Sequence, residues 1–98
     1  MPPGPVRRRL KVLNEQGIHA RPAAKLVETA QRFACDIRLH AQGPDGAPAV
    51  ASAKEIMDVM VLALPFGAPV LVVADGPDAE DAVRALAEMF SSRFGTED

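Results

Sequence analysis

The chain has 98 residues, 13 of them acidic and 11 basic, with a formal net charge of −2. That length suits one domain around a single core, and a hydrophobic fraction of 48% excludes wholesale disorder. The slightly acidic balance and the absence of Tyr and Trp argue against nucleic-acid binding. Cys35 is the only cysteine, so neither an internal disulfide nor a cysteine-based zinc site can form, and a reducing compartment is expected.

The first third of the chain predicts a strand and then a helix. Residues 1–5 form a Pro/Gly-rich tail, and residues 6–13 predict a half-buried strand because apolar and basic side chains alternate along its end. After a polar turn, the apolar side chains from His19 onward take the spacing of a helix with one buried face. The apolar positions of that helix are Ala23, Leu26, Val27, Ala30 and Phe33.

The middle of the chain predicts a hairpin and a second helix. Residues 35–41 alternate strictly, and residues 48–52 predict a weak strand that closes the hairpin after a turn-rich loop. A helix is predicted over residues 52–64, where Ser52 and Glu55 have the spacing of a capping box.

The last third predicts a strand and a third helix. Residues 68–75 are apolar on both faces, which predicts a central strand. Residues 75–94 give the clearest helical pattern, with Asp78 as its cap and acidic residues in its first turn. The predicted buried stripe of this helix is Ala82, Val83, Leu86, Met89 and Phe90.

The order β-α-β-β-α-β-α predicts an α+β fold, with three helices on one face of a four-stranded, mostly antiparallel sheet and solvent on the other face. One domain is predicted over residues 6–94, with tails at 1–5 and 95–98. Proline, glycine and aspartate interrupt the apolar region over residues 56–74, which argues against a membrane span, and the N-terminus lacks the apolar core of a signal peptide. We therefore expect a soluble, cytoplasmic protein that is monomeric by default.

A histidine stands where the first predicted helix begins. With a helix from Ala20, His19 occupies the N-cap position, and Pro22 falls in the first turn, where its missing N–H is not needed. The positive helix end favours the neutral ring, which keeps a nucleophilic lone pair, and the amides of Ala20 and Arg21 would stabilise an anion on that ring. The Arg21 guanidinium adds donors suited to phosphate oxygens. The pattern therefore suits a histidine that accepts and releases phosphate, although a histidine at a helix start is more often an ordinary surface residue.

Two further side chains provide comparisons for His19. His40 lies on the polar side of the strand over residues 35–41 and is expected to face solvent. Cys35 lies on the apolar side of the same pattern and is expected to be a buried, small hydrophobic residue.

The strings GIHARPAAKLV, SAKEIMDVMVLAL and DGPDAEDAVRALAEMF resemble the HPr family, the histidine phosphocarriers of the bacterial phosphoenolpyruvate-dependent phosphotransferase system. The resemblance runs from about residue 6 to residue 94, and its core, G-[IL]-H-x-R-P-A, is a specific signature. It implies an open-faced β-sandwich, with His19 as the phosphoryl acceptor on Nδ1 and Arg21 as a phosphate contact. It also implies Enzyme I as the donor and a IIA unit of a sugar permease, or a regulatory analogue, as the acceptor.

The second predicted helix is apolar nearly all the way round, so some of its side chains must be exposed. Val59 and Leu62 are expected to be core residues. Ile56, Met57 and Met60 are expected to form a docking surface, which is also where the family meets its partners. We expect alanine at Met57 and Met60 to weaken partner binding and to leave the melting temperature nearly unchanged.

The chain departs from the family around this helix. Glu55 stands where many relatives carry a serine that a regulatory kinase phosphorylates, so no such control is expected; Glu55 then supplies a permanent charge or only caps the helix. Acidic residues replace lysines of some relatives and leave Lys54 and Arg21 as the cations nearest the active site, with Lys54 contributing to partner binding. Weaker positive charge slows encounter with an acidic donor. Together with a longer loop at residues 42–48, this favours a regulatory or nitrogen-type branch.

Two other classes of protein stay open. One is an interaction domain in which His19 is inert and only the second helix matters. The other is a nucleic-acid module in which Arg7, Arg8 and Arg9 contact phosphates, which the net charge and the missing aromatic residues disfavour. The sequence contains no Gly-rich nucleotide loop and no metal-ligand cluster, so no cofactor is expected, and a carrier is regenerated stoichiometrically rather than acting as an enzyme.

Overall fold

The computed structural model describes residues 4–96, and within that range the chain forms four strands and three α-helices in the predicted order. A short 3₁₀ turn over Arg93–Gly95 follows the last helix. The elements are β1 (Val6–Lys11), α1 (Ala20–Ala30), β2 (Asp36–Gln42), β3 (Pro48–Ser52), α2 (Ile56–Leu62), β4 (Pro69–Asp75) and α3 (Ala79–Ser91).

The strands form one sheet in the order β1-β4-β2-β3, and every neighbouring pair is antiparallel. The prediction that β4 is central is therefore confirmed. All three helices lie on one face of the sheet: α3 packs on β1 and β4, α2 packs on β3, and α1 lies between α2 and α3. The alternation predicted for β2 is also confirmed, because Ile37 and Leu39 are buried beneath the helices while Asp36 and Arg38 are exposed on the other face.

The face of the sheet opposite the helices carries both polar and apolar side chains. One row across it runs from Arg9 through Leu71 and His40 to Val50. His40 is on this open face, as predicted, but its neighbours leave it half-buried.

The second helix begins later than the sequence predicts. It starts at Ile56 rather than near Ser52, which is the last residue of β3, so the predicted capping box is wrong. The physical reason is that the sheet holds this segment extended: the Ala53 N–H donates to the Ile37 carbonyl (2.9 Å), and the Ala53 side chain is buried. Glu55 becomes the N-cap residue, and its side chain makes no capping hydrogen bond.

The third helix has Asp78 at its N-cap, as predicted, but the carboxylate does not cap it. Instead it accepts the backbone N–H groups of Ala34 (2.8 Å) and Cys35 (2.9 Å), and the Ala34 N–H in particular holds the pKa of Asp78 below its usual value. Asp78 thus ties the start of α3 to the loop before β2. Cys35 is buried, as predicted, and desolvation raises the pKa of its thiol to about 11. The predicted stripe of α3 is buried except at Met89, which is half-exposed.

The two predicted tails are described only in part. The predicted tail over residues 1–5 lies partly outside the described residues, as does the tail over 95–98. Thr96 is held to the domain, since its hydroxyl accepts a hydrogen bond from the Asn14 amide at 2.9 Å. In the part of the chain that the structure describes, no helix has the length and apolar character needed to cross a membrane.

Candidate functional site

The turn before α1 fixes the position of His19. The Gly17 N–H closes this turn on the Asn14 carbonyl (2.9 Å), and the next amide, of Ile18, donates to the Leu64 carbonyl (2.8 Å) in the loop after α2. Gly17 has a φ of +73°, and a Cβ there would collide with the Leu64 carbonyl oxygen. Only glycine therefore allows this close approach, which clamps the segment carrying His19 against the loop between α2 and β4.

The same turn is anchored on its other side by a buried asparagine. Asn14 is fully buried and donates through Nδ2 to the Arg93 carbonyl at 3.0 Å, as well as to Thr96. The segment leading into α1 is thus held both by the loop after α2 and by the C-terminal turn. These two attachments fix where the segment leading into α1 lies on the domain.

His19 occupies the N-cap position of α1, which confirms the predicted helix start. Its carbonyl accepts the Ala23 N–H (3.0 Å), so the backbone of His19 already belongs to the helix, whereas its side chain makes no capping hydrogen bond. The side chain is half-buried, so the ring remains within reach of another protein. Pro22, in the first turn, is buried and has no N–H to satisfy.

The first turn of α1 differs from those of the other helices in its charge. It contains no acidic residue, whereas α2 carries Asp58 there and α3 carries Glu80 and Asp81. An acidic side chain near a helix N-terminus compensates the positive end of the helix dipole. In α1 no first-turn side chain provides this compensation, and the first-turn residues Ala20 and Arg21 are exposed to solvent.

The predicted docking helix runs antiparallel to α1. The α1 start contacts the loop after α2 through Ile18, while the Gln31 side chain, past the α1 end, donates to the Lys54 carbonyl (3.0 Å) ahead of α2. His19 therefore lies beside the C-terminal end of α2. Of the predicted docking residues, Met57 is 68% exposed, but it belongs to the other end of that helix.

Burial separates the apolar residues of α2 largely as predicted. Val59 and Leu62 are buried in the core, and Ile56, at 40%, is exposed. Met60 differs from the expectation, because it is half-buried and packs against the core.

The placement of Lys54 corrects one prediction. Its ammonium donates to the Phe33 carbonyl (2.6 Å), beyond the C-terminal end of α1. Since an α-helix rises 1.5 Å per residue, the length of α1 separates this point from His19 by about 16 Å. The prediction that Lys54 is one of the cations nearest the active site is therefore wrong, and Arg21 is the cation that lies at the helix start.

Two exposed apolar side chains at the His19 end of α2 and in the loop after it were missed by the sequence reasoning. Phe66 is 60% exposed in the loop that clamps Gly17, and Val61 is 67% exposed on α2. The sequence held a signal for Phe66, because it stands between Pro65 and Gly67 in a turn, where a large side chain has no helix face to bury it. These residues extend the apolar surface of α2 toward the His19 end.

Comparison with known proteins agrees with this arrangement. Residues 6–92 match the family model described as "PTS HPr component phosphorylation site". The phosphocarrier protein HPr of Xylella fastidiosa is 41% identical over 85 residues, covering 87% of this chain and 90% of the relative. The crystal structure of HPr from Bacillus anthracis superposes with a TM-score of 0.78 at 38% identity, covering 88% of this chain and 96% of that one. The HPr structure from Thermoanaerobacter tengcongensis gives a TM-score of 0.81 at 35% identity, covering 95% and 99%.

An open sheet with an accessible histidine at a helix start, matched to these relatives over most of its length, defines a phosphocarrier protein of the phosphotransferase system and not an enzyme. The chain belongs to the HPr family. The predicted fold, an open-faced β-sandwich with a four-stranded sheet, is thereby confirmed.

Proposed function

We propose that His19 is the residue that carries the phosphoryl group, accepting it from Enzyme I charged by phosphoenolpyruvate and passing it to a IIA-type acceptor. Nδ1 of the ring attacks phosphorus, the bond between phosphorus and the donor breaks, and the electron pair of that bond stays on the donor. The reverse exchange with the acceptor regenerates the neutral ring. The protein would act in the cytoplasm, where phosphoenolpyruvate is made, and as a monomer.

The observation that carries this proposal is the charge of the α1 start. His19 is the N-cap residue of a helix whose first turn holds no acidic side chain, so the positive end of the helix dipole would stabilise a phosphoryl dianion on the ring. The amides of Ala20 and Arg21 precede the first amide that bonds within the helix, that of Ala23, and can donate to phosphate oxygens. The exposed Arg21 guanidinium adds a charge-assisted contact.

We propose further that partners dock on the exposed side of α2. Ile56 and Met57 supply accessible apolar area, Met60 supports them from its half-buried position, and Lys54 flanks the helix start. Glu55, the residue at the regulatory-serine position, is exposed, and its carboxylate caps nothing. A permanent negative charge beside the docking residues is therefore the role that this position keeps.

A phosphorylation assay tests the assignment of His19. The protein is incubated with phosphoenolpyruvate and an Enzyme I, and intact-mass spectrometry follows the gain of one acid-labile phosphoryl group. We expect this gain to vanish in His19→Ala and to persist in His40→Ala, because His40 lies on the open face of the sheet. Labelling that survives in both variants would exclude His19 as the acceptor.

The choice of donor separates the transport role from the regulatory one. A nitrogen-type regulatory HPr should be charged faster by a nitrogen-type Enzyme I than by a sugar-type one, with the wild-type chain at equal concentration in both reactions. An interaction domain with an inert histidine predicts no charging by either donor.

A further inference from the structure

The outer edge of β1 offers unpaired main-chain groups. Within the described residues β1 pairs with β4 alone. Just past its end, the Val12 N–H donates to the Ala68 carbonyl (3.0 Å) and the Val12 carbonyl accepts the Gly67 N–H (2.8 Å), so the polar groups of Val12 point to the β4 side. Because this direction alternates along a strand, those of Arg7, Arg9 and Lys11 point outward.

All of the charged side chains of β1 are positive. The six residues of β1 include four cations and no acid, although the whole chain has a net charge of −2. Arg7, Arg8, Arg9 and Lys11 are all exposed, and none of them forms an ion pair with another described residue. Cationic side chains therefore project on both faces of the same edge.

A groove runs between this edge and α3. It has a volume of about 460 Å³ and its apolar lining comes from Leu10, Leu13, Ala87 and Phe90. Arg8, Arg9, Lys11 and Arg84 also line it, and Arg84 pairs with Asp81 at 3.3 Å. Glu88 is the acidic side chain that lines the groove. The lining of the groove thus combines apolar side chains with four cations and one acid.

We propose that the β1 edge binds an extended acidic segment of a partner protein, which adds to the sheet as an antiparallel strand beside β1. Its main chain would bond to the outward groups of Arg7, Arg9 and Lys11, and its carboxylates would face those three cations across the open face. In the groove, an acidic side chain would face Arg8 and an apolar one would face Leu10. Cross-strand charge pairs of this kind give the edge its preference for an acidic partner.

Other occupants fit this edge less well. A second copy of the chain pairing through β1 would set arginine against arginine, which is repulsive. A nucleic acid would need the cations aligned along one phosphate chain, whereas Arg8 projects to the opposite face of the strand from Arg7 and Arg9. The edge lies on the α3 side of the molecule and α2 lies over β3, so this surface is separate from the docking helix and does not depend on the function proposed for His19.

A designed peptide tests the proposal with the full-length protein. The probe is fluorescein-Thr-Glu-Val-Glu-Glu-Glu-Thr-amide, labelled at its N-terminus, which places valine opposite Leu10 and glutamates opposite the four cations in antiparallel register. Its matched control carries N-methyl groups on the three glutamates opposite Arg7, Arg9 and Lys11, which keeps the charge and removes the donors. We expect the control to bind at least about tenfold more weakly by fluorescence anisotropy. Amide exchange at Arg9 should slow when the unmodified peptide is bound.

Charge reversal on one sheet provides the second comparison. We expect Arg9→Glu to weaken peptide binding about tenfold, and Arg38→Glu, on the same face but two strands further in, to change it less than about twofold. Melting curves check that both variants fold. The proposal is overturned if the N-methylated peptide binds as tightly as the unmodified one, or if the amides whose NMR shifts change on peptide binding lie in α2. It is also overturned if the edge binds single-stranded RNA more tightly than the peptide. If the protein formed a dimer that dissociated in Arg9→Glu, the occupant of the edge would be a second copy of the chain, which would also overturn the proposal.

Discussion

The starts of α1 and α2 share a polar N-cap residue but differ in whether an acidic side chain lies in the first turn. Each helix is preceded by a polar residue at the N-cap, His19 in one case and Glu55 in the other, and neither side chain makes a capping hydrogen bond. At α2 an acidic residue inside the first turn, Asp58, folds back and accepts the Ser52 N–H at 3.2 Å. At α1 no acid occupies the first turn.

The difference shows that a similar N-cap geometry is combined with an acid of the same helix in α2 and with none in α1. The α2 start is neutralised by its own chain, which fixes the junction between β3 and the helix. The first turn of α1 contains no such acid, and the segment leading into it is attached to the rest of the domain by contacts of Gly17 and Asn14. A helix start with no acid in its first turn, held by these hydrogen bonds, suits the transient phosphoryl transfer proposed for His19.

The largest effect should come from the clamp at α1. We expect Gly17→Ala to lower the free energy of unfolding by about 3 kcal/mol, because alanine is strained at positive φ and its Cβ collides with the Leu64 carbonyl. Gly46→Ala is the matched control: Gly46 also has positive φ, but a Cβ there meets nothing within 4 Å, so a loss of about 1 kcal/mol is expected. Urea denaturation measures both variants. Equal losses would show that the clamp contributes nothing beyond backbone strain.

Sequence patterns predicted the parts of the fold that depend on neighbours along the chain. The bounds of β3, the N-cap position of His19 and the burial of Val59 all follow from local periodicity, and each is confirmed. The predictions that were wrong concern residues whose hydrogen-bond partners lie far away in the sequence. Ser52 and Glu55 have capping-box spacing, yet the Ala53–Ile37 hydrogen bond keeps that segment in the sheet.

The same limit applies to the charged groups. Asp78 has an ideal sequence position for capping α3, but its carboxylate meets the Ala34 amide, 44 residues earlier in the chain. Lys54 follows the β3 strand in sequence, and only the antiparallel packing of α1 and α2 shows that it lies at the wrong end of α1 to help His19. Which end of a neighbouring helix a side chain meets is a tertiary property, and no periodicity within a single element encodes it.

A smaller effect should separate the two methionines of α2. Met60 packs against the core while Met57 is largely exposed, so Met60→Ala should lower the free energy of unfolding by about 1 to 2 kcal/mol and Met57→Ala by less than about 0.5 kcal/mol. Both should slow phosphoryl transfer from Enzyme I if α2 is the docking surface. A Met57→Ala variant that is charged at the wild-type rate would remove Met57 from that surface.

The smallest effect tests the α2 start directly. Asp58→Ala should lower the free energy of unfolding by about 0.5 to 1 kcal/mol, because it removes both the acceptor for the Ser52 N–H and the acid in the first turn of α2. Ser52→Ala and Glu55→Ala should each change it by less than about 0.5 kcal/mol, since neither side chain caps the helix. A capping box would give the reverse order, with about 1 kcal/mol lost at Ser52. Chemical denaturation of the three variants therefore decides which residue stabilises the α2 start. If Ser52→Ala gave the largest loss in the free energy of unfolding, the capping box predicted from the sequence would be right after all.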